Sequence, residues 1–264
     1  MSVGVFDSGL GGLTVLRALI DLLPHEDVLY FGDTGRFPYG SKAAAELRGY
    51  AIQIADLLVE RGASMLVVAC NSAAAAALDL LGVRYQVPVV GVIEPGLRSA
   101  LEATTSGRIG VIGTVGTISS GAYQRVAARL APDIELTCAA CPGFVEFVEA
   151  GDVDSDQVHV LAERLLAPVQ AAKVDTLVLG CTHYPLLART IGDVMGRDVV
   201  LVSSADETAF AVRTMLAADD DARARAGRIG RHVFLTSGDV DTFRRLGTRF
   251  LGPEVQTVRA WRWT

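Results

Sequence analysis

The strongest constraint on this chain is a set of short apolar runs that do not alternate. Residues 3–6, 28–31, 65–69, 89–93, 109–112, 177–179 and 199–202 are rich in Val, Ile and Leu at successive positions. A strand with one face in water alternates apolar and polar side chains; one that does not is covered on both faces. Between these runs lie longer Ala-, Leu- and Arg-rich stretches at 13–23, 42–61, 73–81, 123–130, 157–172 and 205–217, which are expected to be helices. Strands separated by helices in this way build parallel sheets with helices on both faces, so the fold class is α/β. Half of the 264 residues are hydrophobic and only 20% are charged, which supplies a core and excludes a mainly disordered chain.

A loose duplication refines this expectation. Val3-Gly4-Val5-Phe6-Asp7-Ser8 resembles Ile109-Gly110-Val111-Ile112-Gly113-Thr114, and Val67-Val68-Ala69-Cys70-Asn71-Ser72 resembles Val178-Leu179-Gly180-Cys181-Thr182-His183. The pattern predicts two similar domains, each a mainly parallel sheet flanked by helices, related by pseudo-twofold symmetry. Residues 1–95 with 207–264 would form the first domain and 96–206 the second, with a switch near 94–99. Residues 219–231 are charged and rich in Ala and Gly, as in a surface connection, and 234–239 look like a late strand returning to the first half. Ser204 and Glu207 have the spacing of a helix-capping box.

Two cysteines stand at matching points. Cys70 and Cys181 each follow an apolar run and precede a helical start, with Pro185 suited to a first helical turn. Open α/β sheets bind ligands at such carboxyl ends of strands. Helix amides there are expected to favour a thiolate. Two thiols facing one cleft suit inversion of a stereocentre, in which one group removes a proton from one face and a second delivers a proton to the other. Asp7-Ser8-Gly9-Leu10-Gly11-Gly12 follows the first strand and offers exposed amides to an anion. It is not a dinucleotide fingerprint, because Thr14 stands where a third glycine is needed. Gly35 to Lys42 superficially resembles a phosphate-binding loop, but Ser41 precedes Lys42 where that loop needs the reverse order. What remains is an amide-rich loop with the Tyr39 hydroxyl, suited to a carboxylate. His183 is placed to tune or relay the proton of Cys181, and Glu149 could partner the other thiol. Cys138 and Cys141 form a single C-x-x-C pair, a weak metal signal, and no metal site is expected.

Composition removes other classes. A net charge of −6 gives no reason to expect nucleic acid or an anionic membrane as partner. No apolar stretch approaches the ~20 residues of a membrane span. The first residues carry no basic segment and reach Asp7 at once, unlike a signal peptide. A cytoplasmic location follows as the expectation, with the four cysteines as free thiols. Lys42 and Lys173 are the only lysines, and neither has an obvious context for a Schiff base, so pyridoxal phosphate is not expected.

Taken in order, these motifs resemble the glutamate racemases of the aspartate/glutamate racemase superfamily. The matching segments are Val5-Phe6-Asp7-Ser8-Gly9-Leu10-Gly11-Gly12-Leu13, Gly32-Asp33-Thr34 with Pro38-Tyr39-Gly40, Ala69-Cys70-Asn71-Ser72, Gly91-Val92-Ile93-Glu94-Pro95, Val111-Ile112-Gly113-Thr114 and Leu179-Gly180-Cys181-Thr182-His183-Tyr184-Pro185-Leu186. The resemblance implies cofactor-independent interconversion of L- and D-glutamate, supplying D-glutamate for peptidoglycan. It implies that Cys70 takes the α-proton of D-glutamate and Cys181 that of L-glutamate, with Asp7 and Glu149 assisting Cys70 and His183 assisting Cys181. Ser8, Tyr39 and Gly40 would hold the side-chain carboxylate, and Asn71, Ser72 and Thr182 the α-carboxylate and amino group, in an active site between the two domains that Asp7, Pro38, Thr114 and His183 would also line as substrate-binding residues. Ser72 departs from the more usual Thr, keeping the hydroxyl and losing a methyl. A small-molecule substrate and a possible homodimer complete what the resemblance implies. Aspartate racemases of the same superfamily are the competing reading. They tend to lack the Asp-Ser-Gly start and often carry Glu where this chain has His183. A non-catalytic amino-acid-binding module would not need both thiols.

Overall fold

The computed structural model describes residues 2–217 and 228–263. Two sheets carry the fold. The larger contains β1 (Ser2–Asp7), β2 (Asp27–Gly32), β3 (Ala63–Val68), β4 (Val89–Gly91), β9 (His232–Thr236) and β10 (Val258–Ala260), in the order β10-β9-β2-β1-β3-β4. The smaller contains β5 (Arg108–Gly113), β6 (Glu135–Ala140), β7 (Thr176–Gly180) and β8 (Val200–Val202), in the order β6-β5-β7-β8. Every strand pairing is parallel. Five of the seven apolar runs are the interior strands β1, β2, β3, β5 and β7, while those at 89–93 and 199–202 fall on the edge strands β4 and β8; all five residues of β7 are buried. Fully burying one such Val, Leu or Ile side chain stabilises by about 1.5–3 kcal/mol.

The sequence duplication reappears as topology. β2-β1-β3-β4 and β6-β5-β7-β8 have the same order, with the similar segments on β1 and β5 and again on β3 and β7. In each sheet these two strands are neighbours, with Phe6 beside Val68 and Gly113 beside Gly180. Their carboxyl ends therefore bring Asp7 and Cys70 together in one sheet and Thr114 and Cys181 together in the other. β9 adds to the first sheet beside β2, pairing Phe31 with Leu235, as expected of the late strand.

Helices cover the faces. α1 (Leu13–Leu22) buries Leu13, Val15, Leu16, Ala18 and Leu19. α2 (Ala44–Glu60) packs on α3 (Asn71–Arg84), whose Ala73, Ala74 and Ala77 are small enough to let its amino end sit close to the sheet. α4 (Ile93–Ala103) spans the expected switch as one continuous helix and packs on β7, bridging the sheets. The remaining helices are α5 (Val115–Ser119), α6 (Ala122–Leu130), α7 (Phe144–Ala150), α8 (Asp156–Ala171), α9 (Ala188–Met195), α10 (Ala205–Leu216) and α11 (Val240–Leu251).

The structure departs from the sequence expectation in several places, beginning with α4, α5 and α11, which fall where no helix is expected. β6 starts on polar residues and is only partly buried, and β10 is three residues long, so neither produces an apolar run. Ser204 is not a side-chain cap. Its backbone is already helical (φ −77°, ψ −6°), and it contributes its carbonyl, which accepts from Thr208 N and Oγ1 at 3.0 and 2.6 Å. Side-chain caps occur instead at Thr114, Ser155 and Asp239, where Asp239 Oδ1 accepts from Thr242 N at 2.7 Å. Most of the surface connection expected over 219–231 lies outside the described residues. No described helix is long and apolar enough to cross a membrane.

Candidate active site

The carboxyl ends of both sheets open on one cavity of about 100 Å³. β1 supplies Ser8, and the loop after β2 supplies Phe37, Pro38, Tyr39, Gly40 and Ser41. β3 and the start of α3 supply Cys70, Asn71 and Ser72. From the second sheet come Thr114 after β5 and Cys181, Thr182 and His183 after β7. Asp7 and Glu149 stand behind this lining, in contact with residues that form it.

The two thiols have different surroundings. Cys70 is buried before the first turn of α3. Burial, followed by the nearby Asp7 charge, pushes its thiol up to about 12, against hydrogen bonds from Ala73 and Ser8. The expected preference for thiolate at this helix start is thus outweighed: the amides are present, but desolvation is larger. Cys181 lies 3.9 Å from His183 Nδ1, and His183 Nε2 lies 2.7 Å from Glu149 Oε1. Burial opposes charge on His183, but hydrogen bonding to Cys181 and Glu149 and the Asp7 charge outweigh it and raise the imidazole to about 10. As a cation it donates from both nitrogens, one toward the thiol and one to the carboxylate. The contact described for Glu149 is thus with His183, on the Cys181 side; it sits near the end of α7, which packs against the Tyr184–Leu187 turn.

Asp7 ties the halves together. It accepts from Gly9 N at 2.8 Å and from Thr182 Oγ1 at 3.3 Å across the cavity floor. Burial raises its carboxyl, opposed by the His183 charge, the Gly9 and Gly12 amides and Thr182. A second link is a hydroxyl cluster. Ser72 Oγ lies 2.9 Å from Thr114 Oγ1 and 3.3 Å from Thr117 Oγ1, which are 3.0 Å apart. Asn71 Nδ2 donates to Tyr123 Oη at 3.0 Å, while its buried Oδ1 has no protein partner. Leaving such an acceptor unmatched costs about 1–3 kcal/mol, so this atom favours a donor from whatever fills the cavity, water included. Tyr39 lines the cavity, but its hydroxyl donates to Asp33.

The sequence reading missed the wall formed by Val115, Cys141, Pro142, Gly143, Val145 and Glu146. Cys141 follows β6 as Cys181 follows β7, and the Cys-Pro-Gly break was the available signal. All four cysteines are free thiols, and no metal-binding cluster occurs among the described residues.

Two outcomes follow from this packing. A Cβ on Gly11 would overlap Thr182 Oγ1 and lie 2.5 Å from His183 Nδ1. Gly11→Ala is expected to destabilise by about 1–3 kcal/mol through overpacking, read as a lower Tm, and to displace His183, read as lost activity in the folded protein. The second outcome is pH dependence. His183 is raised from 6.5 to about 10 by folding, so its stabilisation is complete below about 6.5 and is lost as pH rises through about 10. The urea midpoint should fall across that window, and fall less in His183→Asn.

The comparisons with known proteins converge on one answer. Residues 11–212 match the family model for Asp/Glu/hydantoin racemases. The chain belongs to the Asp/Glu/hydantoin racemase family. It is 52% identical over 258 residues to a glutamate racemase from Acidothermus cellulolyticus, spanning 98% of each chain. A glutamate racemase isoform from Bacillus anthracis has the same structure at a TM-score of 0.92 and 39% identity, covering 100% of this chain and 97% of the other. The Francisella tularensis glutamate racemase, solved with D-glutamate, matches at a TM-score of 0.89 and 31% identity, covering 98% and 97%. As a racemase-family member this chain is an isomerase that acts on amino acids.

Proposed function

We propose that this racemase interconverts L- and D-glutamate through two cysteines that act on opposite faces of the α-carbon, without a cofactor. The observation that carries the reading is that Cys70 and Cys181 line one cavity from equivalent strand ends of two sheets. With L-glutamate bound, Cys181 as thiolate takes the α-proton, its charge partnered by the His183 imidazolium, which Glu149 holds from the other side. The electron pair left on carbon delocalises into the α-carboxylate, and the Cys70 thiol delivers its proton to the other face. The product is D-glutamate, with Cys181 protonated and Cys70 left as thiolate; solvent exchange restores both. The neutral Cys70 of the ligand-free site suits the donor role in this direction. Asn71 Oδ1 accepts from the substrate ammonium, the Ser72 and Thr114 hydroxyls hold the α-carboxylate, and the Thr182 hydroxyl, which donates to Asp7, can accept from the ammonium. Ser8 and the Pro38–Gly40 backbone hold the distal carboxylate. Neither Lys42 nor Lys173 lines the cavity, so the site offers no lysine for a Schiff base. The reading extends to residues 1–95 with 207–264 and 96–206 as two domains around the substrate. It extends also to a cytoplasmic homodimer supplying D-glutamate for peptidoglycan.

Glutamate is favoured over aspartate because full-length relatives at 52% identity are glutamate racemases. The test is polarimetry. L-Glutamate with the purified protein and no added cofactor should lose its rotation completely, while L-aspartate at equal concentration should keep its own. Faster loss with aspartate would replace the substrate assignment, and no loss with either would reject it.

A further inference from the structure

Resting on the reading that the Pro38–Ser41 loop holds substrate, we propose that Trp263 is a positioning residue for that loop, acting through Asp33 and Arg36. Asp33 is fully buried between β2 and the loop, and its carboxylate takes four donors. Ser237 Oγ and Trp263 Nε1 reach Oδ1 at 2.6 and 3.2 Å. Arg36 Nε reaches Oδ2 at 2.6 Å, together with the Tyr39 hydroxyl. Two of these donors, Arg36 and Tyr39, belong to the loop itself; the other two come from residues about two hundred positions away, after β9 and after β10.

Trp263 also fixes Arg36 from the side. The guanidinium lies between two aromatic faces, 3.9 Å from the Tyr50 ring centre and 4.2 Å from that of Trp263. Its Nη1 donates to Gln53 Oε1 at 2.6 Å. Trp263 is itself seated on Phe31 of β2, with ring centres 5.2 Å apart. Stacking and a charge-assisted hydrogen bond together leave the guanidinium little freedom. Tyr39 and Gly40 follow within four residues of Arg36, so the place where Asp33 and Arg36 are held sets where the cavity wall stands. Trp263 does not line the cavity. Its effect is therefore on how well substrate is held in both ground and transition states, a change in KM with kcat preserved.

The experiment compares Trp263→Ala and Trp263→Phe with the unaltered full chain, with KM and kcat measured for both glutamate enantiomers. Racemisation by the unaltered chain is the control for the functional reading; if it fails, that reading fails first. Given that activity, Trp263→Ala is expected to raise KM about tenfold, the scale of one charge-assisted hydrogen bond, with kcat within about twofold. Trp263→Phe keeps the ring over Arg36 and loses only the donor to Asp33, so its KM should rise by less, about threefold. A purely structural role would lower Tm and the active fraction and leave KM unchanged. Unchanged KM in folded Trp263→Ala overturns the proposal. If that variant does not fold, unchanged KM in Trp263→Phe overturns it equally.

Discussion

Cys70→Ala and Cys181→Ala are each expected to lower racemisation roughly 10²–10⁴-fold, the range a positioned acid or base contributes. The loss should be equal in both directions for each variant. Enantiomers have equal free energy, so kcat/KM for L- and D-glutamate must stay equal whichever thiol is removed. The two effects should not add in the double variant, because each proton step requires both groups. Alanine keeps the packing close to that of the buried cysteine, so Tm should change little. Retained folding separates a chemical loss from a structural one. Near-full activity in either single variant would remove that thiol from the mechanism. Cys141→Ala is the internal control: Cys141 lines the same cavity, but no proton step passes through it.

His183→Asn is expected to lower kcat by about a hundredfold, with smaller change in KM. Asparagine cannot carry the charge that His183 holds between Cys181 and Glu149. It leaves the Cys181 sulfur without its cationic partner and Glu149 without its strongest contact. Glu149→Gln should fall in between, because it keeps a group beside Nε2 but removes the carboxylate that helps hold the imidazole protonated. An activity order of unaltered, Glu149→Gln, His183→Asn supports one relay on the Cys181 side. If Glu149→Gln costs nothing, the carboxylate is only a neighbour.

Much of this was legible because the fold puts its chemistry at strand ends. The apolar runs located the central strands, and Cys70 and Cys181 could be read as strand-end groups from the residues around them. The duplicated segments anticipated the repeated four-strand order. What was not legible depended on tertiary contact. Whether Glu149 meets Cys70 or Cys181 is decided by how α7 lies against the Tyr184–Leu187 turn, which no spacing reveals. The Cys70 thiol looked set to ionise because helix amides are visible in sequence, whereas the burial that outweighs them is not. Tyr39 looked free to bind a carboxylate because its partner Asp33, six residues earlier, is held in turn by Ser237 and Trp263. The wall at Cys141–Glu146 was missed with β6, a partly buried strand whose polar start hides it.

The central claim is that two different groups handle the proton on the two faces. It is tested most directly by running the reaction in heavy water from pure L-glutamate and sampling before much substrate is consumed. With two thiols, the first D-glutamate carries deuterium at the α-carbon while the remaining L-glutamate still carries protium. A single group returning the proton it removed would put protium into the D-glutamate, or deuterium into both pools at similar rates. Either pattern would contradict the account.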